Sequence, residues 1–115
     1  MEERRKFVRV ISPVNIAYNK CNSSEKERIS FSKDISKGGV CLIVYEELKK
    51  SDLLDLKIYL HKDEAPISVK ARVIWIHAFA TDGLLKEKKF YAGMEFMAID
   101  EKDVGRIEEY ISTIM

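Results

Sequence analysis

Two short runs carry the residues whose types and spacing could do chemistry. The first is Arg5-Lys6-Phe7-Val8-Arg9, preceded by Arg4; the second is Asp34-Ile35-Ser36-Lys37-Gly38-Gly39. A guanidinium is a planar fork of donors that matches two phosphate oxygens or the O6/N7 edge of guanine. Arg5 and Arg9 are four residues apart, at most roughly 13 Å on an extended chain. Both forks can therefore converge on one compact ligand if the segment folds over it. Arg4 is out of that register and either adds a phosphate contact or faces solvent. In the second run, the Asp34 carboxylate can accept from two adjacent donors such as guanine N1–H and N2–H. Ser36 can donate to a phosphate or brace the turn, and Gly38 and Gly39 let backbone approach a bulky group closely. Each run also has a plain alternative. The first can be a solvated basic tail, and the second an Asx-type turn joining two strands.

The elements that must position these residues are mostly strands. Phe7 to Tyr18 reads as a strand interrupted at Pro13, and Asn22-Ser23-Ser24 as a turn. Arg28 to Lys33 is a second strand with Ile29 and Phe31 on one face. The Asp34–Gly39 run then turns the chain, and Val40 to Tyr45 completes a hairpin. Leu54, Leu56, Ile58 and Leu60 alternate with Asp55, Lys57 and Tyr59 in a fourth strand. Ile67 to His77 is a fifth, with Val69, Ala71, Val73 and Trp75 on one side, so Trp75 is expected in the core. A charged loop runs from Thr81 through Lys89, and Phe90, Ala92, Met94 and Phe96 give the inner face of a sixth strand. At Asp100 the period changes. Val104, Ile107, Ile111 and Ile114 recur at helical steps, behind a capping aspartate and despite Gly105. About six antiparallel strands and one terminal helix imply a small barrel or sandwich with the helix against it.

Composition narrows the function classes. The 115 residues suit one domain with one core. The 20 basic residues nearly cancel the 19 acidic ones, which argues against a general polyanion binder. The scattered tyrosines Tyr18, Tyr45, Tyr59 and Tyr91 suggest no stacking ladder for single-stranded nucleic acid. The charged N-terminus lacks the apolar stretch of a signal peptide, and no run reaches the ~20 apolar residues of a spanning helix. The expectation is a cytoplasmic chain without membrane insertion, with Cys21 and Cys41 as reduced thiols. Those cysteines do not share metal-ligand spacing with His61 and His77, so no metal is expected. No nucleophile stands with a recognisable base, and no paired carboxylates or phosphate loop with a catalytic lysine occur, so no enzyme is expected.

Taken together, the RxxxR and DxSxxG runs resemble the signatures of the PilZ domain, the bacterial receptor module for cyclic di-GMP. The resemblance continues through Ala71-Arg72-Val73-Ile74-Trp75, like the family's A-x-V-x-W strand, and Gly93-Met94-Glu95-Phe96, like its G-x-x-F strand. It implies a mainly β fold, a six-stranded antiparallel barrel with a C-terminal helix. It divides residues 1–115, one domain, into a mobile arginine segment (1–10), the barrel and the helix (100–115). It implies cyclic di-GMP as ligand, with no other cofactor, held by Arg5, Arg9, Asp34, Ser36 and Gly39, with Arg4 and Gly38 beside them. It further implies that ligand orders the N-terminal segment and that a protein effector reads the closed state. The helix stripe packs on the barrel or continues into a homodimer contact. The rivals are a PilZ-fold protein-interaction adaptor that does not bind nucleotide, and a small-barrel RNA or single-stranded DNA binder.

Overall fold

Period-two alternation becomes a closed barrel. In the computed structural model, which describes residues 11, 13–61, 63–79 and 89–114, the strands are β1 (Asn15–Lys20), β2 (Arg28–Ile35), β3 (Gly39–Val44), β4 (Leu53–Tyr59), β5 (Ile67–Phe79) and β6 (Lys89–Met97). They close in the order β1-β2-β3-β6-β5-β4, every pairing antiparallel. The alternation is cleanest in β4. Leu54, Leu56 and Ile58 are buried, while Leu53, Asp55, Lys57 and Tyr59 face water. With Ile16, Tyr18, Ile35, Val40, Leu42, Val44, Val73 and Met94 they fill one core. Each such side chain contributes about 1.5–3 kcal/mol relative to exposure.

Helix α1 (Glu101–Ile114) adds Ile107 and Ile111 to the same core. The Asp100 carbonyl accepts from the N–H groups of Asp103 at 3.0 Å and Val104 at 2.9 Å, so Asp100 stands at the helix start. Arg106 fastens the helix to the β4–β5 turn, donating to the Ala65 carbonyl at 2.7 Å and the Glu64 carboxylate at 3.1 Å.

Ile29 and Phe31 share a face, as expected, and it is the outer one, 67% and 43% exposed. The inner positions belong to Ser30 and Ser32. Ser30 donates to the Ile43 carbonyl at 2.6 Å, and Ser32 Oγ accepts from Val14 N–H at 3.0 Å. A buried hydroxyl with a backbone partner avoids the desolvation penalty that otherwise keeps serine out. Strand β2 also runs on to Ile35, so Asp34 sits on the strand and only Ser36 to Gly38 turn the chain. Strand β1 starts at Asn15, after Pro13. The earlier part of the expected first strand, residues 7–10 and 12, and most of the Thr81–Lys89 loop, residues 81–88, lie outside the described residues.

Candidate functional site

The β2–β3 turn is built around one hydroxyl. Ser36 is buried. Its Oγ accepts from the N–H groups of Gly38 and Gly39, each at 3.2 Å. Its backbone N–H donates to the Gly39 carbonyl at 2.9 Å. The serine therefore braces the turn, satisfying donors that no strand partner reaches. Gly39 has a separate reason to be glycine. A Cβ there would lie 2.2 Å from the Met94 carbonyl oxygen, so the missing side chain lets β3 seat on β6. Gly38 extends the seat, its carbonyl accepting from Phe96 N–H at 3.0 Å. Lys37, at the tip, reaches Glu108 of α1 at 3.8 Å.

Asp34 stands next to this turn at a β-bulge. Ser32 pairs with Leu42 and Asp34 with Cys41, which leaves Lys33 as the extra residue of β2. Ile35 and Val40, one step on, are core residues, so Asp34 and Cys41 take the outer face. Cys41 pairs with Gly93 of β6, and Gly93 with Trp75 of β5. Asp34, Cys41, Gly93 and Trp75 thus form one row across four strands on the side away from the core, with Cys41 (3% exposed) and Gly93 themselves buried. A second bulge, between Val73 and Trp75, ends that row.

This second bulge overturns the expected place of Trp75. The alternation Val69, Ala71, Val73 would carry position 75 inward. One extra residue, Ile74, resets the phase, and Ile76 packs on the core instead. Trp75 is 41% exposed. Its indole lies on Gly93, where an added Cβ would meet ring atoms at 2.2 Å. An aromatic ring shielding a strand glycine across a pair is a known sheet device. Beside the row, His77 tilts against Trp75 at 5.2 Å between ring centroids, and Arg72 pairs with Glu95 across β5 and β6.

The site thus offers a carboxylate, a braced turn and a flat indole face; the indole lies over Gly93, two strand spacings (roughly 10 Å) from Asp34. A ligand with a planar ring bearing adjacent N–H donors, and a second planar group, suits that layout. Of the expected site residues, the structure brings together Asp34, Ser36, Gly38 and Gly39. Arg4, Arg5 and Arg9 lie outside the described residues. Among those described, no group of three or more His, Cys, Asp or Glu side chains could hold a metal ion. Cys21 is 3.5 Å from the Asp55 carboxylate; burial, then that carboxylate, pushes its thiol above the ordinary range, where it is a weak nucleophile.

A closed six-stranded antiparallel barrel with one C-terminal helix, bearing a DxSxxG turn on its outer face, defines a class of small binding domain. The chain matches the PilZ domain over residues 3–113 and belongs to that family. No curated protein sequence matches it significantly. Among solved structures it is similar to the PilZ domain with c-di-GMP of YcgR from Escherichia coli, with a TM-score of 0.75 and 14% identity, covering 96% of this chain and 91% of that one. It is similar also to the Bacillus subtilis inhibitor of motility MotI/DgrA (TM-score 0.70, 24% identity, 95% and 49%). A third is the K. pneumonia MrkH–c-di-GMP complex (TM-score 0.72, 18% identity, 98% and 53%). The chain spans about half the length of MotI and MrkH, and these likenesses concern the fold. Among the described residues no helix is long and apolar enough to cross a membrane.

Proposed function

We propose that this chain is a cyclic di-GMP receptor of the bacterial cytoplasm that works as an adaptor: a binding module, not an enzyme. The observation that carries the reading is the outer-face row from Asp34 to Trp75, bounded by two bulges and lying beside the braced turn, in a chain of the PilZ family. Bulges concentrate where a sheet re-aims side chains at a site. YcgR and MrkH, both with this fold, have structures with c-di-GMP.

In this reading Asp34 accepts from N1–H and N2–H of one guanine, and the Trp75 indole offers its open face to another part of the ligand. Arg5 and Arg9 grip guanine edges and phosphates, with Arg4 adding a phosphate contact. Ser36, Gly38 and Gly39 act through the shape of the turn, since the Ser36 hydroxyl is already engaged there. Ligand orders the segment up to Arg9 over the barrel, and a protein effector recognises the closed surface. The ordering costs backbone entropy that the charge-assisted contacts must exceed.

Asp34→Ala tests the assignment. The variant should lose its preference for cyclic di-GMP over cyclic di-AMP in fluorescence titrations that follow Trp75. One bidentate base contact is worth ~1–3 kcal/mol, roughly tenfold to a hundredfold in that ratio. A ratio equal to that of the parent chain would remove Asp34 from base recognition.

A further inference from the structure

Beyond Trp75 the same outer face continues in two more rows. His77 pairs with Tyr91, and Tyr91 with Ile43; Phe79 then pairs with Lys89. Phe90 and Ala92, which flank Tyr91 in β6, are core residues, so Tyr91 and Lys89 point outward. The rings are organised. Phe79 and Tyr91 stack at 4.3 Å with 19° between planes. Lys33 Nζ lies 4.8 Å from the Tyr91 centroid, and Lys89 Nζ 5.8 Å from that of Tyr45.

The charges here differ from those elsewhere on the barrel. Arg28, Lys57, Lys70, Arg72 and Arg106 each face a carboxylate. Among the described residues Lys33 and Lys89 do not; each leans on a tyrosine ring instead. The two rows hold no acidic residue. Glu46 and Glu47 line one pocket with Lys89 and Phe79, and Glu46 is tied to Arg28.

We propose that this face docks an acidic, apolar-bearing segment of a protein partner. Aromatic anchors are enriched at the centre of a protein interface, and the two lysines suit its polar rim. Two ammonium groups that face no carboxylate among the described residues call for acidic side chains on the other side. Single-stranded nucleic acid fits less well, because base stacking needs open ring faces. Phe79 and Tyr91 cover one face of each other, and Lys33 stands over Tyr91. The inference does not depend on nucleotide binding.

The test uses the full chain, labelled with nitrogen-15, and three probes. One is a synthetic twelve-residue peptide alternating Asp/Glu with Leu/Phe. The second carries Lys/Arg in place of the acids, and the third is an oligothymidine of equal length. The acidic peptide should bind saturably, shift the amides of Lys33, His77, Lys89 and Tyr91, and bind roughly tenfold more weakly to the Lys33→Glu/Lys89→Glu variant. Lys89→Glu alone, farther from the β2 bulge, provides a second variant should the double one unfold, and it should weaken binding in the same direction. The proposal fails if the acidic peptide does not bind, if the basic peptide or the oligonucleotide binds as well or better, or if the shifts fall on another face.

Discussion

Gly39 shows what a single residue does for the site. Its amide feeds the Ser36 hydroxyl, and its missing side chain brings β3 onto the Met94 carbonyl. Gly39→Ala places a methyl group against backbone, which cannot rotate away. It should destabilise the fold by about 1–3 kcal/mol, as overpacking does, and urea unfolding will show the lower midpoint. An unchanged midpoint would mean that β3 and β6 can separate at no cost. Much at this scale was readable in the sequence. Asp34 and the glycines are flagged by their spacing, and the structure sets them side by side at one turn. The reason for Gly39 was not readable, because a strand contact 55 residues away (Gly39 to Met94) leaves no local mark. For Ser36 two readings stood open, a phosphate donor or a brace for the turn, and its hydroxyl accepts from the turn's own N–H groups.

At the scale of elements, period two told which residues share a face and not which face is inside. In β4 the answer is obvious, since leucines and isoleucine alternate with charges. In β2 two serines alternate with isoleucine and phenylalanine, and the serines go in because backbone groups meet their hydroxyls. In β5 one bulge residue turned Trp75 outward, and bulges have no strong sequence signal. Helix α1 was legible from its three- and four-residue steps, including the weakness at Gly105. Nothing lies within 4 Å of a Cβ built there, so Gly105→Ala should stabilise the protein by about 0.5–1 kcal/mol through helix propensity alone. A rise in thermal midpoint checks this; a fall would mean that α1 packs differently.

Tyr18 makes a second prediction at this scale. Burial pushes its phenol above the usual value, although the hydrogen bond from Tyr45 N–H, at 3.2 Å, opposes the shift. In the unfolded chain the phenol ionises near pH ~10; in the folded chain it holds its proton to higher pH. The unfolded state therefore binds fewer protons above pH ~10, and stability falls as pH rises from there toward the folded value. Tyr18→Phe should lose about 1 kcal/mol at neutral pH, from the abandoned Tyr45 N–H. Its stability should then decline less steeply above pH ~10. Parallel alkaline curves for the two proteins would contradict the assignment.

For the whole molecule, the barrel carries a row of residues between two bulges on its outer face, and the helix adds Ile107 and Ile111 to the core. Six antiparallel strands and a terminal helix followed from pattern, and closure into a barrel from the family resemblance; the strand order β1-β2-β3-β6-β5-β4 is the structure's own. The layout of the outer face did not follow, since it depends on which residues meet across four strands. The central claim is that this face, with Arg5 and Arg9, receives cyclic di-GMP. Isothermal titration calorimetry of the purified chain with cyclic di-GMP tests it most directly, with Arg9→Ala alongside. The account predicts saturable binding to the parent chain, and affinity lower by roughly tenfold to a hundredfold in Arg9→Ala, with the fold unchanged by circular dichroism. No heat of binding from the parent chain, or equal affinity in both proteins, would contradict it.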